Sequence, residues 1–292
     1  MRNPLWNPRS TINCRGKLIS LKEPIIMGIL NSTPDSFYNK SRLIHCQDAV
    51  DRAGNMIVEG VHIVDVGGFS SRPGALEVTF EEELDRVLPC IEAIHKAFPD
   101  LPISVDTFRS KVARAAIGAG AGMINDISGG DLDDEMWPLI AELQIPYVLM
   151  HMQGAPSNMQ FNPQYQDVTV DILDYFIHKI SQIRQLGIHD LIIDPGFGFG
   201  KTTTHNFELL RNLHSFRILG APLLIGLSRK SLIWKSLGIN ATQALNGTSA
   251  LHMVALQQGV NILRVHDVAP AREVIQLWQL LNADSKYTAT FL

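Results

Sequence analysis

The chain has 292 residues, 46% hydrophobic and 18% charged, and 25 Lys and Arg against 29 Asp and Glu give a formal charge of −4. That apolar share matches the ~45–50% of globular domains, which excludes a disordered chain, and no run reaches the ~18 apolar residues of a membrane-spanning helix. No dense basic block is present, so neither nucleic acid nor a membrane is an expected partner.

Residues 1–23 precede any repeating pattern and are taken as an N-terminal extension; they contain no apolar leader segment. From residue 24 a unit recurs, in which a short Ile-, Val- or Leu-rich run ends in polar or glycine residues and an amphipathic helical stretch follows. Eight such runs occupy 25–30, 62–66, 103–105, 123–127, 147–150, 191–193, 223–227 and 262–265. Being apolar at successive positions, they suit strands buried on both faces of a parallel sheet. Among the intervening helices, one opens at Thr79 with Glu82 three residues on, the pattern of a capping box. Another starts behind Asp167, carries Val168, Ile172, Tyr175, Phe176, Ile180 and Ile183 at helical spacing, and ends at Gly187.

Strand–helix alternation repeated eight times predicts an α/β fold, a (β/α)8 TIM barrel forming a single domain over 24–282, with 283–292 as a C-terminal tail. An open doubly wound sheet is the alternative. The strand ends separate the two. Asn31, Asp106, Asn125, His151, Asp194, Ser228 and His266 stand at or just past the last apolar residue of seven runs. A barrel gathers such positions at one mouth, whereas an open sheet spreads them along an edge. Cys14, Cys46 and Cys90 form no CxxC pair, and one of the three must stay unpaired, which suits a reducing cytoplasm.

The segment Pro195-Gly-Phe-Gly-Phe-Gly-Lys201 resembles two nucleotide motifs and satisfies neither: the first Walker A glycine is replaced by Pro195, and the dinucleotide spacing G-x-G-x-x-G is absent. It reads either as a flexible strand-to-helix loop or as a loop for close ligand approach, and its place after Asp194 favours the second. Asp106, Asn125 and Asp194 together suit a planar heterocycle with a guanidine-like donor edge, with Lys230 as a cationic donor. Arg72, Arg264 and His266, with Asn31 nearby, form a second group. Arg264 and His266 flank Val265 and so share a strand face, and guanidinium forks bind phosphate bidentately. Neither HExxH nor a Cys/His cluster occurs, so any metal is expected to be a hard ion such as Mg2+, held by few protein oxygens and by phosphate.

Five motifs, in order, resemble those of dihydropteroate synthases: Met27-Gly-Ile-Leu-Asn-Ser-Thr-Pro-Asp-Ser-Phe37, Asp65-Val-Gly-Gly-Phe-Ser-Ser-Arg-Pro-Gly74, Ile193-Asp-Pro-Gly-Phe-Gly-Phe-Gly-Lys201, Gly226-Leu-Ser-Arg-Lys230 and Arg264-Val-His-Asp267. The resemblance implies a transferase of folate biosynthesis that joins 6-hydroxymethyl-7,8-dihydropterin diphosphate to 4-aminobenzoate, giving 7,8-dihydropteroate and diphosphate. It implies Asp106, Asn125, Asp194 and Lys230 for the pterin, with Asp106, Asp194 and Lys230 serving the reaction. It implies Asn31, Arg72, Arg264 and His266 for the diphosphate, with Asn31 on Mg2+, and Phe37, Ser71, Pro73, Phe199 and Ser228 near the aminobenzoate. A sulfonamide-sensitive cytoplasmic homodimer is part of the same expectation. Three positions depart from the family pattern: Phe69 stands where Glu is common, Ser71 where Thr is common, and Asn39 where an acid is common. The rival readings are a methyltetrahydrofolate-type methyltransferase, a Schiff-base lyase using Lys230, and a pterin-binding barrel without turnover.

Overall fold

In the computed structural model, residues 10–31, 42–69, 78–155, 159 and 161–283 are described. The chain enters as an antiparallel hairpin, β1 Thr11–Cys14 and β2 Lys17–Ser20, where the sequence pattern predicted only an extension. Arg15 and Gly16 turn it with φ of 52° and 81°, both left-handed, as a two-residue hairpin turn requires. Eight parallel strands follow: β3 Ile25–Asn31, β4 Ile63–Gly67, β5 Ile103–Asp106, β6 Met123–Asp126, β7 Tyr147–Met150, β8 Leu191–Asp194, β9 Leu224–Ile225 and β10 Ile262–Val265.

Each strand pairs with its neighbours in parallel order, and the ring closes where the Ile193 amide donates to Pro222 O at 2.9 Å. This is the (β/α)8 barrel. The strand expected over 223–227 shortens to Leu224–Ile225, because Gly226 and the three residues after Leu227 turn away to form part of the mouth. His62 likewise stands just outside β4, where its Nδ1 accepts from the Ile26 amide at 3.2 Å.

Helices α1 Arg42–Glu59, α2 Phe80–Ala97, α3 Ser110–Ala119, α4 Met136–Leu143, α5 Val168–Gln185, α6 Thr203–Arg211, α7 Ser231–Leu237, α8 Leu245–Gln257 and α9 Val268–Asn282 follow the strands. The α2 capping box forms as expected, Thr79 Oγ1 accepting from the Glu82 amide and Glu82 Oε2 from the Thr79 amide. Asp167 caps α5, accepting from the Thr169 and Val170 amides. No described helix is long and apolar enough to cross a membrane.

Two apolar layers result. One lies between strands and helices and includes Val64, Val66, Val105, Leu149, Ile193 and Val265. The other fills the lower barrel, where Met27, Ile63, Met123, Val148, Ile192, Leu224 and Ile262 meet the hairpin residues Ile12, Cys14, Ile19 and Leu21. The hairpin is therefore a plug on the floor of the barrel. Burial there pushes the Cys14 thiol up to about 11.

Candidate active site

Side chains two apart on a strand share a face. Ile63, Met123, Ile192 and Ile262 belong to the apolar floor; two residues further along the same strands stand Asp65, Asn125, Asp194 and Arg264. On β5, Ser104 is followed in the same way by Asp106. One step up each strand thus converts an oily layer into a charged one.

Arg264 organises it. Its Nε donates to Asp65 Oδ2 and its Nη2 to Asp106 Oδ2, each at 2.6 Å. Asn125 Nδ2 donates to the same Asp65 Oδ2 at 2.9 Å. Asp65, Asp106, Asn125 and Asp194 are all buried. Burial works against the Arg264 charge, but Asp65 and Asp106 outweigh it and hold the guanidinium above its ordinary value. Burial raises the Asp106 carboxyl; Arg264 opposes the rise, and Asp65, Glu83 and Asp126 add to it. Asp65 Oδ1 and Asp106 Oδ1 are buried without a hydrogen-bond partner.

Asp194 ends β8, where Oδ1 accepts from the Gly196 amide at 2.8 Å. Burial raises its carboxyl, opposed by Lys230, the Gly196 amide, Arg264 and Lys201. Lys230 donates from Nζ to Phe197 O, and Nζ lies 4.5 Å from the centre of the Phe199 ring. Its ammonium is lowered to about 8 by burial, with Asp194 resisting. The segment 195–201 is no flexible loop: all of its residues but Gly198 are buried, and a Cβ on Gly196 would lie 2.0 Å from His151 O. It is a packed ledge under Lys230.

Ser228 Oγ accepts from the His266 amide at 3.2 Å and lies 3.1 Å from His266 Nδ1, with the His266 ring exposed at the rim. Between Ser228 and Lys230, Arg229 has φ of 53° and grips Asp267 through Nε and Nη2 at 2.7 and 2.9 Å, tying the β9 turn to the end of β10. Asn31 closes β3 half-buried; a Cβ on Gly67 would lie 3.6 Å from its Oδ1 and 3.4 Å from Asp106 Cβ, so Asn31 and Asp106 flank that glycine. Phe69 packs edge-on against Phe108, centroids 5.2 Å apart, beside a cluster of Ile127, Met150, Met159 and Phe199. An aromatic side chain suits that apolar setting, and a carboxylate there would be desolvated.

The fold thus brings together Asn31, Asp106, Asn125, Asp194, Phe199, Ser228, Lys230, Arg264 and His266 at the C-terminal ends of the strands, where barrel sites lie. Phe37, Asn39, Ser71, Arg72 and Pro73 lie outside the described residues. Two residues escaped the sequence reading. Asp65 sits inside its strand rather than at the end, and only its two-residue step from Ile63 marks it. Lys201 was seen as part of a failed nucleotide motif, and its burial is visible only in three dimensions.

A barrel mouth that offers buried acceptors and an amide beside an arginine–histidine strand defines a class of enzymes that hold a flat, donor-rich ring next to an anion. Sequence comparison agrees, since the family described as pterin binding enzyme matches residues 27–266. The chain is 44% identical over 275 residues to the dihydropteroate synthase of Escherichia coli strain K12, covering 92% of this chain and 94% of that one. A Xanthomonas albilineans dihydropteroate synthase solved with 4-aminobenzoic acid superposes with a TM-score of 0.87 at 40% identity, covering 94% of this chain and 99% of that one. A Yersinia pestis dihydropteroate synthase in a sulfonamide drug complex gives 0.87 and 40%, covering 93% and 98%. The chain belongs to the dihydropteroate synthase family, transferases of folate biosynthesis.

Proposed function

We propose that the mouth binds 6-hydroxymethyl-7,8-dihydropterin diphosphate through Asp106, Asn125, Asp194 and Lys230 and joins it to 4-aminobenzoate. The observation that carries this is the buried Asp106 Oδ1 without a partner. A carboxylate accepts up to about four hydrogen bonds, and an unmet buried acceptor calls for a donor. The aminopyrimidine edge of a pterin supplies such donors.

The bond from the pterin methylene carbon to the bridging oxygen breaks, and its electron pair leaves with the diphosphate. Arg264 and His266, with Arg72, would hold that anion. The remaining methylene cation is stabilised by the neighbouring carboxylates of Asp106 and Asp194, fixed on strands before the reaction begins. The arylamine nitrogen then bonds to the methylene carbon and loses a proton to solvent. A good leaving anion and a neutral nucleophile need no strong base. Phe37, Ser71, Pro73, Phe199 and Ser228 would line the arylamine side, where sulfonamides compete.

No group of three His, Cys, Asp or Glu that could hold a metal occurs among the described residues. The Asn31 amide oxygen, a hard ligand near Asp106, fits a Mg2+ ion that takes its other ligands from phosphate and water. Such an ion would neutralise charge on the departing diphosphate. Cytoplasmic location and a homodimer rest on family membership; sedimentation as a monomer would remove the second.

The test is diphosphate release with both substrates, with and without Mg2+. Release that requires 4-aminobenzoate is expected. A folded protein that binds the pterin diphosphate and releases nothing is a binding barrel, and one that binds neither substrate refutes the assignment.

A further inference from the structure

The glycine-rich segment after β8 ends in a buried lysine that the reaction above does not use. Lys201 Nζ lies 3.0 Å from Gly196 O, Phe199 O and His151 Nδ1, and 3.4 Å from His151 O. Carbonyl oxygens only accept. Three of them and a ring nitrogen around one Nζ suit the three donors of an ammonium better than the two of an amine. Those acceptors call for an ammonium, and Asp194 favours it, against the burial and the neighbouring Lys230 charge that drive Lys201 well below its ordinary value. From the other side, Asn206 of α6 accepts from the Gly198 amide at 2.8 Å and donates to Thr202 O at 2.7 Å. The segment so clamped presents Phe197 O and the Phe199 ring to Lys230.

We propose that Lys201 is a positioning residue: it fastens the 195–200 segment to the end of β7, so that Phe197 and Phe199 hold Lys230 in place, and it sets a second positive charge near Asp194. The proposal rests on the reading of Asp194 and Lys230 as pterin ligands. The groups around Asp194 are Lys230 beyond β9, Arg264 on β10, and Lys201 and the Gly196 amide on its own segment. On the β7 side stands His151, which burial and Lys201 keep well below its ordinary value and hence neutral. Lys230 in turn feels Asp194, Arg264 and Asp106.

The test is the pH profile of pterin diphosphate binding, measured by calorimetry. In the native protein the acid limb follows Asp194 gaining its proton and the alkaline limb follows Lys230 losing one. Removing a nearby positive charge raises both groups, so in Lys201→Met the whole bell moves to higher pH, by about half a unit or more. Affinity at neutral pH falls about tenfold. Lys201→Gln keeps amide donors for the carbonyls and should displace the bell equally with a smaller loss, which covers a methionine variant that does not fold. A lower bell with unmoved limbs in either folded variant would assign Lys201 to the fold alone and overturn the proposal, as would unchanged affinity. Failure of the native protein to bind refutes instead the pterin reading beneath it.

Discussion

The two ends of one barrel are built from the same strands and do opposite things. At the floor, Met27, Ile63, Met123, Ile192 and Ile262 meet the hairpin in a dry layer that favours folding by about 1.5–3 kcal/mol for each large side chain buried. One step up, Asp65, Asp106, Asn125 and Asp194 are buried and Arg264 is half-buried among them, and each must find a partner or pay for its desolvation. Stability is collected at one end and held in tension at the other. A mutation at the floor should therefore cost stability and spare ligand affinity, and a mutation at the mouth should alter affinity first.

Arg264→Ala should break that rule most strongly, because Arg264 serves both accounts. Removing it leaves Asp65 and Asp106 without their shared cation, at about 3–5 kcal/mol for a buried pair broken on one side. Diphosphate affinity should fall as well. Urea denaturation at neutral and at acid pH checks this: the loss should shrink in acid, where Asp106, already raised by burial, takes up its proton. A variant as stable as the native protein at neutral pH would show that the two ion pairs to Arg264 do not support the fold.

Asp194→Asn should come next, with pterin affinity down about 100-fold, near 2.7 kcal/mol. The amide can still accept from Gly196 but gives up the charge facing Lys230 and Lys201. Calorimetry with the pterin diphosphate reads it, and affinity within a few-fold of native would contradict the role. Ile12→Ala, on the hairpin, should cost about 2 kcal/mol of stability, the low end for a buried isoleucine because solvent can follow into a thin plug. Its pterin affinity should stay native at temperatures where it is folded. A weakened site in this variant would mean that the floor positions the mouth.

The mouth was more legible than the floor. Polar residues at strand ends, such as Asp106, Asn125 and Asp194, announce themselves because they interrupt an apolar run where a barrel places its chemistry. The plug has no such signal: Arg15-Gly16 is not a common hairpin turn pair, and Ile12, Cys14, Ile19 and Leu21 alternate over strands of four residues, too short for periodicity to stand out. Asp65 was hidden inside its strand, and its role follows from register, which pairs it with Ser104 on β5. Lys201 was hidden by its neighbours, since a lysine after glycines suggests a phosphate loop. Only the four acceptors around Nζ show that it holds the protein's own backbone.

The smallest effect is the one that sees both ends at once. Asp194 is raised by burial, so the folded protein prefers it protonated: its contribution to stability is present in acid and is lost as pH rises through the window above the ordinary carboxylate value. Lys230 is lowered to about 8, so the folded protein prefers it neutral: its contribution is present above the ordinary lysine value and is lost as pH falls toward about 8. Between those windows both groups are charged and the mouth destabilises the fold, while the floor's Cys14 thiol, pushed up to about 11, stays neutral. Pterin diphosphate relieves that cost by pairing the charges. Its stabilising effect on thermal unfolding should therefore peak between the two windows and fade on either side, by a few degrees for about 1 kcal/mol in a protein of this size. Scanning calorimetry with and without ligand across pH measures it. A ligand shift that stays flat with pH would mean that the charges at the mouth are already balanced by one another, and that binding draws on shape and hydrogen bonds alone.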